Sequence, residues 1–285
     1  MAANERRAYW SERSGRRPRN ASLSPAQVRK LFASLVIEFE TQGHLQETFG
    51  YECVDAGHVP GSLGPAINER LLLILGYADL WPFTESKVEA WADDEFFDVI
   101  EFLYDHVSEG NPDSGQFHSY SDCGWHFRHF DRDPARVEYR HRVNELLARL
   151  EGGYELNAAG EVLHAAPGGL DPLLSAALPG LAEVNTDHVT AAIHKFRSRS
   201  STPTQRRDAV RDLADVLESI RADVKEQMFN EDERALFEIA NKFWIRHSKP
   251  GERRDYDHEA WWSWLFYLYL DSIALVSHLK QRGPG

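Results

Sequence analysis

Thr204-Gln-Arg-Arg-Asp-Ala-Val210-Arg-Asp-Leu213-Ala-Asp-Val-Leu217-Glu-Ser-Ile220-Arg-Ala-Asp-Val224-Lys-Glu-Gln-Met228 is the stretch whose pattern decides the fold class. Val210, Leu213, Leu217, Ile220 and Val224 recur at spacings of three, four, three and four. On a helix of 3.6 residues per turn they form one apolar stripe. The pattern predicts a long helix from about residue 204 to 228, packed antiparallel in a bundle. Downstream, Leu236, Ala240 and Phe243 mark one face of another helix. Asp232 and Glu233 lie in its first turn, where the macrodipole favours negative charge, and Pro250-Gly251 end it. From Ala260 to Val276 the chain is apolar on almost every helical face. That run is short for a bilayer and Asp271 interrupts it. We expect no membrane span but a helix covered by its own domain on one side and by a second copy on the other. Residues 182–285 thus read as a wholly helical unit.

Residues 23–181 form a different kind of unit. Ser24-Pro25 opens a helix through Val28, Leu31, Phe32 and Leu35. A second helix is expected from Pro65 to Leu75. A third starts at Asp93-Asp94, with Phe96, Ile100, Leu103 and Val107 on its buried face. A fourth covers Ala135 to Leu150, with Tyr139, Val143, Leu146 and Leu150 on one side. Tyr154 to His164 alternates about Asn157–Gly160 and reads as a β-hairpin. Pro167-Gly168-Gly169 and Pro179-Gly180 punctuate the exit. The fold class expected is mainly α: a helical N-terminal domain with a small β-hairpin, then a helical bundle. Residues 1–22 carry six arginines against two glutamates and few apolar residues, and read as a basic, flexible tail.

Composition narrows the function classes. A chain of 285 residues with 42% hydrophobic and 12% aromatic side chains can build real cores. Its net charge of −13 argues against coating long nucleic acid by bulk electrostatics. Chemistry on nucleic acid would need a local basic site. Two cysteines make no disulfide scaffold, and the N-terminus lacks a signal-peptide apolar core, so a cytoplasmic location is expected.

Such a basic site is present in Arg246-His-Ser-Lys-Pro-Gly-Glu-Arg-Arg254, followed by Asp255-Tyr-Asp-His258. A fixed guanidinium beside an imidazole that titrates near neutrality suits chemistry on a phosphodiester. The ordinary alternative is that Arg246 and His247 cap the carbonyls of the preceding helix. Two further groups of residues are candidates for metal. His118, Cys123, His126 and His129 fall within twelve residues and match a zinc site in type and number. Their interleaving with Trp125, Phe127 and Phe130 suits ordinary packing, so no cofactor is expected, with structural zinc as the alternative. Asp94, Asp98, Glu101 and Asp105 share one face of the third helix and read as a solvated outer face. Asp215, Glu218 and Arg221 read as helix-surface pairs, with Glu218 and Arg221 also able to line an RNA site.

The C-terminal unit resembles a HEPN-type helical domain through Arg206-Arg-Asp-Ala-Val-Arg-Asp-Leu-Ala-Asp-Val-Leu-Glu218, Leu236-Phe-Glu-Ile-Ala-Asn-Lys-Phe-Trp-Ile-Arg-His247 and Asp255-Tyr256. The N-terminal unit resembles the AbiJ-type domains of abortive-infection proteins. The stretches that carry this are Gly50-Tyr-Glu-Cys-Val-Asp55, Glu95-Phe-Phe-Asp-Val-Ile-Glu-Phe-Leu-Tyr-Asp105, Cys123-Gly-Trp-His126, Tyr139-Arg-His-Arg-Val-Asn144 and Gly153-Tyr-Glu-Leu156. The resemblance implies a prokaryotic anti-phage effector that dimerises through its C-terminal helices and cleaves RNA without a metal, its N-terminal domain sensing an unknown phage trigger or regulating. In HEPN ribonucleases the signature is an arginine, four to six residues, then a histidine. Here His247 directly follows Arg246, and the spacing that fits is Arg253 to His258. Arg246, His247, Arg253 and His258 are therefore the catalytic candidates, with Asn241, Lys249, Arg254 and Glu218 as candidate RNA contacts. The other class open to the sequence is a non-catalytic HEPN module that binds nucleotide, RNA or a partner protein.

Overall fold

The computed structural model describes residues 7–18, 21–120, 123–242 and 257–282. It is mainly helical, with a few short antiparallel strand pairs. The chain divides into two compact units, Met1–Val162 and Leu163–Gly285.

In the first unit the helices are α1 (Trp10–Arg13), α2 (Pro25–Thr41), α3 (Gln46–Phe49), α4 (Ile67–Leu75), α5 (Glu85–Ala90), α6 (Asp93–His106) and α7 (Arg132–Leu147). The described part of the basic tail holds α1, where Arg16 lies over the Trp10 ring. Ser24 caps α2: its Oγ accepts from the Gln27 amide while Gln27 Oε1 accepts from the Ser24 amide. Two of the orphan donors at the helix start are satisfied that way. Helix α6 starts with the Ala92 amide donating to Glu95 and with Asp93, Asp94 and Glu95 in its first turn. The core lies between α2, α6 and α7, where the Phe32 and Phe96 rings meet edge to face, as do Phe39 and Tyr139. Tyr139 is wholly buried; its hydroxyl donates to the Ile100 carbonyl and burial holds its pKa well above the usual range. Val28, Phe32, Leu35 and all four residues expected on the buried face of α6 are in this core, whereas Leu31 is exposed. On α7 the fully buried fourth position is Leu147, and Leu146 is only partly covered.

Among the described residues the strands form four two-stranded sheets rather than one hairpin. β1 (Tyr51–Cys53) pairs with β2 (Gly57–Val59). β3 (Glu109–Gly110) pairs with β6 (Phe130–Asp131), and between them in sequence β4 (Gln116–His118) pairs with β5 (Gly124–His126). β7 (Tyr154–Leu156) and β8 (Val162–His164) make the fourth sheet, at the hairpin read from the alternation. The Asn157 side chain accepts from the amides of Ala159 and Glu161 and so shapes its turn.

Gly50 sets the entry to β1. It adopts φ 84 and ψ −167, backbone space used essentially by glycine alone. A Cβ there would meet the Val59 carbonyl oxygen at 2.2 Å. We expect Gly50→Ala to lose about 1–3 kcal/mol, the usual cost of such strain, or more if the backbone must also move. Gly57→Ala, where a Cβ meets open space, should lose less. Urea midpoints for the two variants check the ordering.

The second unit contains α8 (Asp171–Leu174), α9 (Glu183–Arg197), α10 (Pro203–Ser219), α11 (Arg221–Gln227), α12 (Asn230–Lys242) and α13 (His258–Arg282). Leu170, Leu173, Leu174, Leu178 and Leu181 pack against its core. The unit therefore begins near residue 163 rather than 182. The five residues of the 3-4-3-4 stripe are all buried, but the helix they predicted is broken at Ile220 into α10 and α11. Neither proline nor glycine stands at the break. The Ser219 hydroxyl donates to the Val216 carbonyl there, which also accepts from the Ile220 amide. Helix α13 packs on α10, and Phe266 stacks on Phe196 of α9 with centroids 4.1 Å apart. No helix among the described residues is long and apolar enough to cross a membrane.

Candidate functional site

The cationic segment joins α12 to α13. Arg246, His247, Lys249, Arg253 and Arg254 lie outside the described residues, as does the side chain of Asn241. Its two ends are defined. Leu236 and Phe237 of α12 and Leu265 and Phe266 of α13 are buried in one core. His258 is the first residue of α13, with its ring 5.1 Å from that of Trp262.

Glu218 ends in an ion pair rather than an open groove. Arg221 Nη1 donates to Glu218 at 3.0 Å and its Nε to Glu233 at 3.0 Å, and the guanidinium lies 4.3 Å from the Phe237 ring centre. These two carboxylates hold the Arg221 pKa above its ordinary value, the bond to Glu218 contributing most. Arg221 thus ties α10, α11 and α12 together, and this is the helix-surface pairing expected for Glu218 and Arg221.

The acidic face of α6 is not uniformly solvated. Asp98 accepts from the Tyr77 hydroxyl at 2.8 Å, which pushes the Tyr77 pKa up to about 12. Glu101 accepts from the Val162 amide at 2.6 Å, and Asp105 faces Arg136 at 3.7 Å. Asp98 and Glu101 are half-buried because separate partners draw them inward. Asp94 and Asp105 remain exposed.

A tighter constellation lies at the strands. In the β4–β5 register His118 faces Gly124 and Gln116 faces His126, while Phe117 faces Trp125. Strand alternation puts His118 and His126 on one face and the two aromatic residues on the other. Cys123 immediately precedes β5, and Cys53 ends β1. The ligand atoms of Cys53, His118, Cys123 and His126 all lie within 4.8 Å of one another. Cys53 Sγ is 3.6 Å from His118 Nδ1, and Cys123 Sγ is 3.0 Å from His126 Nε2. Both cysteines are free thiols.

Surroundings complete the picture. His126 is 6% exposed, and its Nδ1 is buried with no hydrogen-bond partner among the described residues. Burial, then the neighbouring His118, lower the His126 pKa against an opposing bond with Cys123. The Tyr51 ring packs on His126 at 4.0 Å, and an Asp55 oxygen lies 3.7 Å from His118 Nδ1.

One member of the fourfold set read from the sequence is replaced. His129 is exposed beyond the end of β5; its amide donates to Ser114 Oγ and its carbonyl accepts from the Asn111 amide. Cys53 takes its position from 65 residues upstream of His118. The available signal was that the chain has only two cysteines, one of them already inside a histidine cluster.

Comparison of the chain with protein-family models, curated proteins and solved structures found no match in any of the three.

Proposed function

We propose that the chain is a prokaryotic abortive-infection effector whose C-terminal helical unit cleaves RNA without a metal ion. The observation that carries this is the anchoring of both flanks of the cationic segment in one core, with His258 opening α13 against Trp262. In sequence, Arg246, His247 and Arg253 stand between these two helices, and His258 begins the second of them. The likeness of the sequence to HEPN-type and AbiJ-type domains supplies the reaction class. A guanidinium would stabilise charge developing on the phosphate oxygens, and an imidazole would move the proton of the attacking 2′-hydroxyl. Lys249 and Arg254 would bind the RNA backbone; Glu218, being paired with Arg221, would act on the helix frame and not on RNA.

The active species is a homodimer through α13. Trp261, Trp264 and Leu275 are exposed and Leu268 is half-buried, and with Asp271 and His278 they follow spacings of three and four along one face. Such a stripe is suited to a second helix. Incubating the purified full chain with total bacterial RNA, in buffer without added divalent metal, tests the reaction. Discrete fragments with 2′,3′-cyclic phosphate ends are expected. Intact RNA at every protein concentration would replace the nuclease with a non-catalytic module that binds RNA, nucleotide or a partner.

A further inference from the structure

We propose that Cys53, His118, Cys123 and His126 form a closed structural zinc site that fastens the β1–β2 hairpin to the β4–β5 hairpin. This goes beyond the ribonuclease reading and does not depend on it. Two thiolates and two imidazoles are the donor set zinc selects, and the two negative charges match the dication. A tetrahedral zinc with bonds of about 2.3 Å to sulfur and 2.0–2.1 Å to nitrogen separates its ligand atoms by about 3.3–3.8 Å. The 3.6 Å between Cys53 Sγ and His118 Nδ1 matches such an edge, and the spread of 4.8 Å needs only small side-chain rotations to close.

Burial and local stability point the same way. Cys53 and His126 are 8% and 6% exposed, so half the donor set is already withdrawn from water. The buried His126 already turns its Nε2 into the cluster, 3.0 Å from Cys123 Sγ, as a ligand to a shared ion would. The paired strands are three residues long, and an isolated two-stranded hairpin is marginal in water. Phe117 and Trp125, on the far face of β4–β5, are more than half exposed and supply little burial. A metal cross-link gives these hairpins what their apolar content does not. It also joins chain segments far apart in sequence, which constrains the unfolded chain most. Four protein ligands leave no open position for water, so the site is structural and not hydrolytic.

The test uses the full chain isolated without a metal-affinity step. Elemental analysis should find one zinc per chain, reduced to background in Cys53→Ala and His126→Ala and retained in His129→Ala. Replacing zinc with cobalt(II) in the parent protein should give the intense visible bands of a tetrahedral ion and thiolate-to-cobalt charge transfer, a readout that does not depend on any variant folding. Chelation should lower the melting temperature, and added zinc should restore it. A parent protein that carries no zinc and takes up none on titration sinks the proposal. So does one zinc per chain in Cys53→Ala, an octahedral cobalt spectrum, or a Cys53–Cys123 disulfide in the native protein.

Discussion

Arg246→Ala and His247→Ala are each expected to abolish RNA cleavage and phage protection while leaving the melting temperature nearly unchanged. Removing one positioned acid–base or charge-stabilising group costs about 10²–10⁴ in rate. Losing a charge at a helix end costs only about 0.3–1 kcal/mol. The contrast between a collapsed rate and an intact fold separates catalysis from helix capping. Arg253→Ala and His258→Ala test the other pairing, and they should have the smaller effect on cleavage. His258→Ala also removes a ring that packs on Trp262, so its melting temperature must be read alongside its rate. Four variants that protect cells as well as the parent does would end the nuclease reading and leave the interaction module. Purified protein with correct circular dichroism is needed in each case, since a misfolded variant also fails to protect.

Much of the helical framework was legible because it depends on local periodicity. The stripe Val210, Leu213, Leu217, Ile220 and Val224 is buried throughout, and so are Phe96, Ile100, Leu103 and Val107, although Phe97, Val99, Phe102 and Tyr104 of α6 are buried as well. What escaped was the break at Ile220, because Ile220 and Val224 stay buried and the apolar spacing runs on through it. The β1–β2 and β4–β5 hairpins escaped too, although their strands are no shorter than those of the β7–β8 hairpin, which was read. With them went Cys53. A cluster assembled from a hairpin near residue 53 and another near residue 120 is tertiary information, and sequence proximity favoured His129 instead. The unit boundary moved for the same reason, because the short apolar run between Leu170 and Leu181 shows its destination only when packed. The cationic segment was conspicuous by composition alone, yet composition does not say whether its arginines and histidines converge.

The two faces of α13 should respond in opposite ways to truncation. Phe266 is fully buried, stacked on Phe196 and edge-on to Tyr267. Phe266→Ala removes a large aromatic ring from a closed core, and we expect a loss of about 3–5 kcal/mol, the usual range for buried Phe→Ala. A loss of that size is a large part of the stability of an ordinary domain. The second unit should therefore unfold at a much lower denaturant concentration. Trp264, two residues earlier, is 45% exposed and meets Trp261 edge to face. Trp264→Ala leaves no cavity in the core, so the denaturation midpoint measured under monomeric conditions should change little. Its effect belongs to association: light scattering should show the dimer of the parent protein shifting toward monomer as Trp264, and then Leu275, is removed. A parent protein that stays monomeric at every concentration would refute the dimer and assign the stripe to another surface. A dimer untouched by both changes would move the interface elsewhere on the unit. The pairing of a stability assay with an association assay matters because a sequence apolar on all sides gives no indication which residues the monomer itself covers. Only the fold distinguishes Phe266 from Trp264, and the two measurements read that distinction separately.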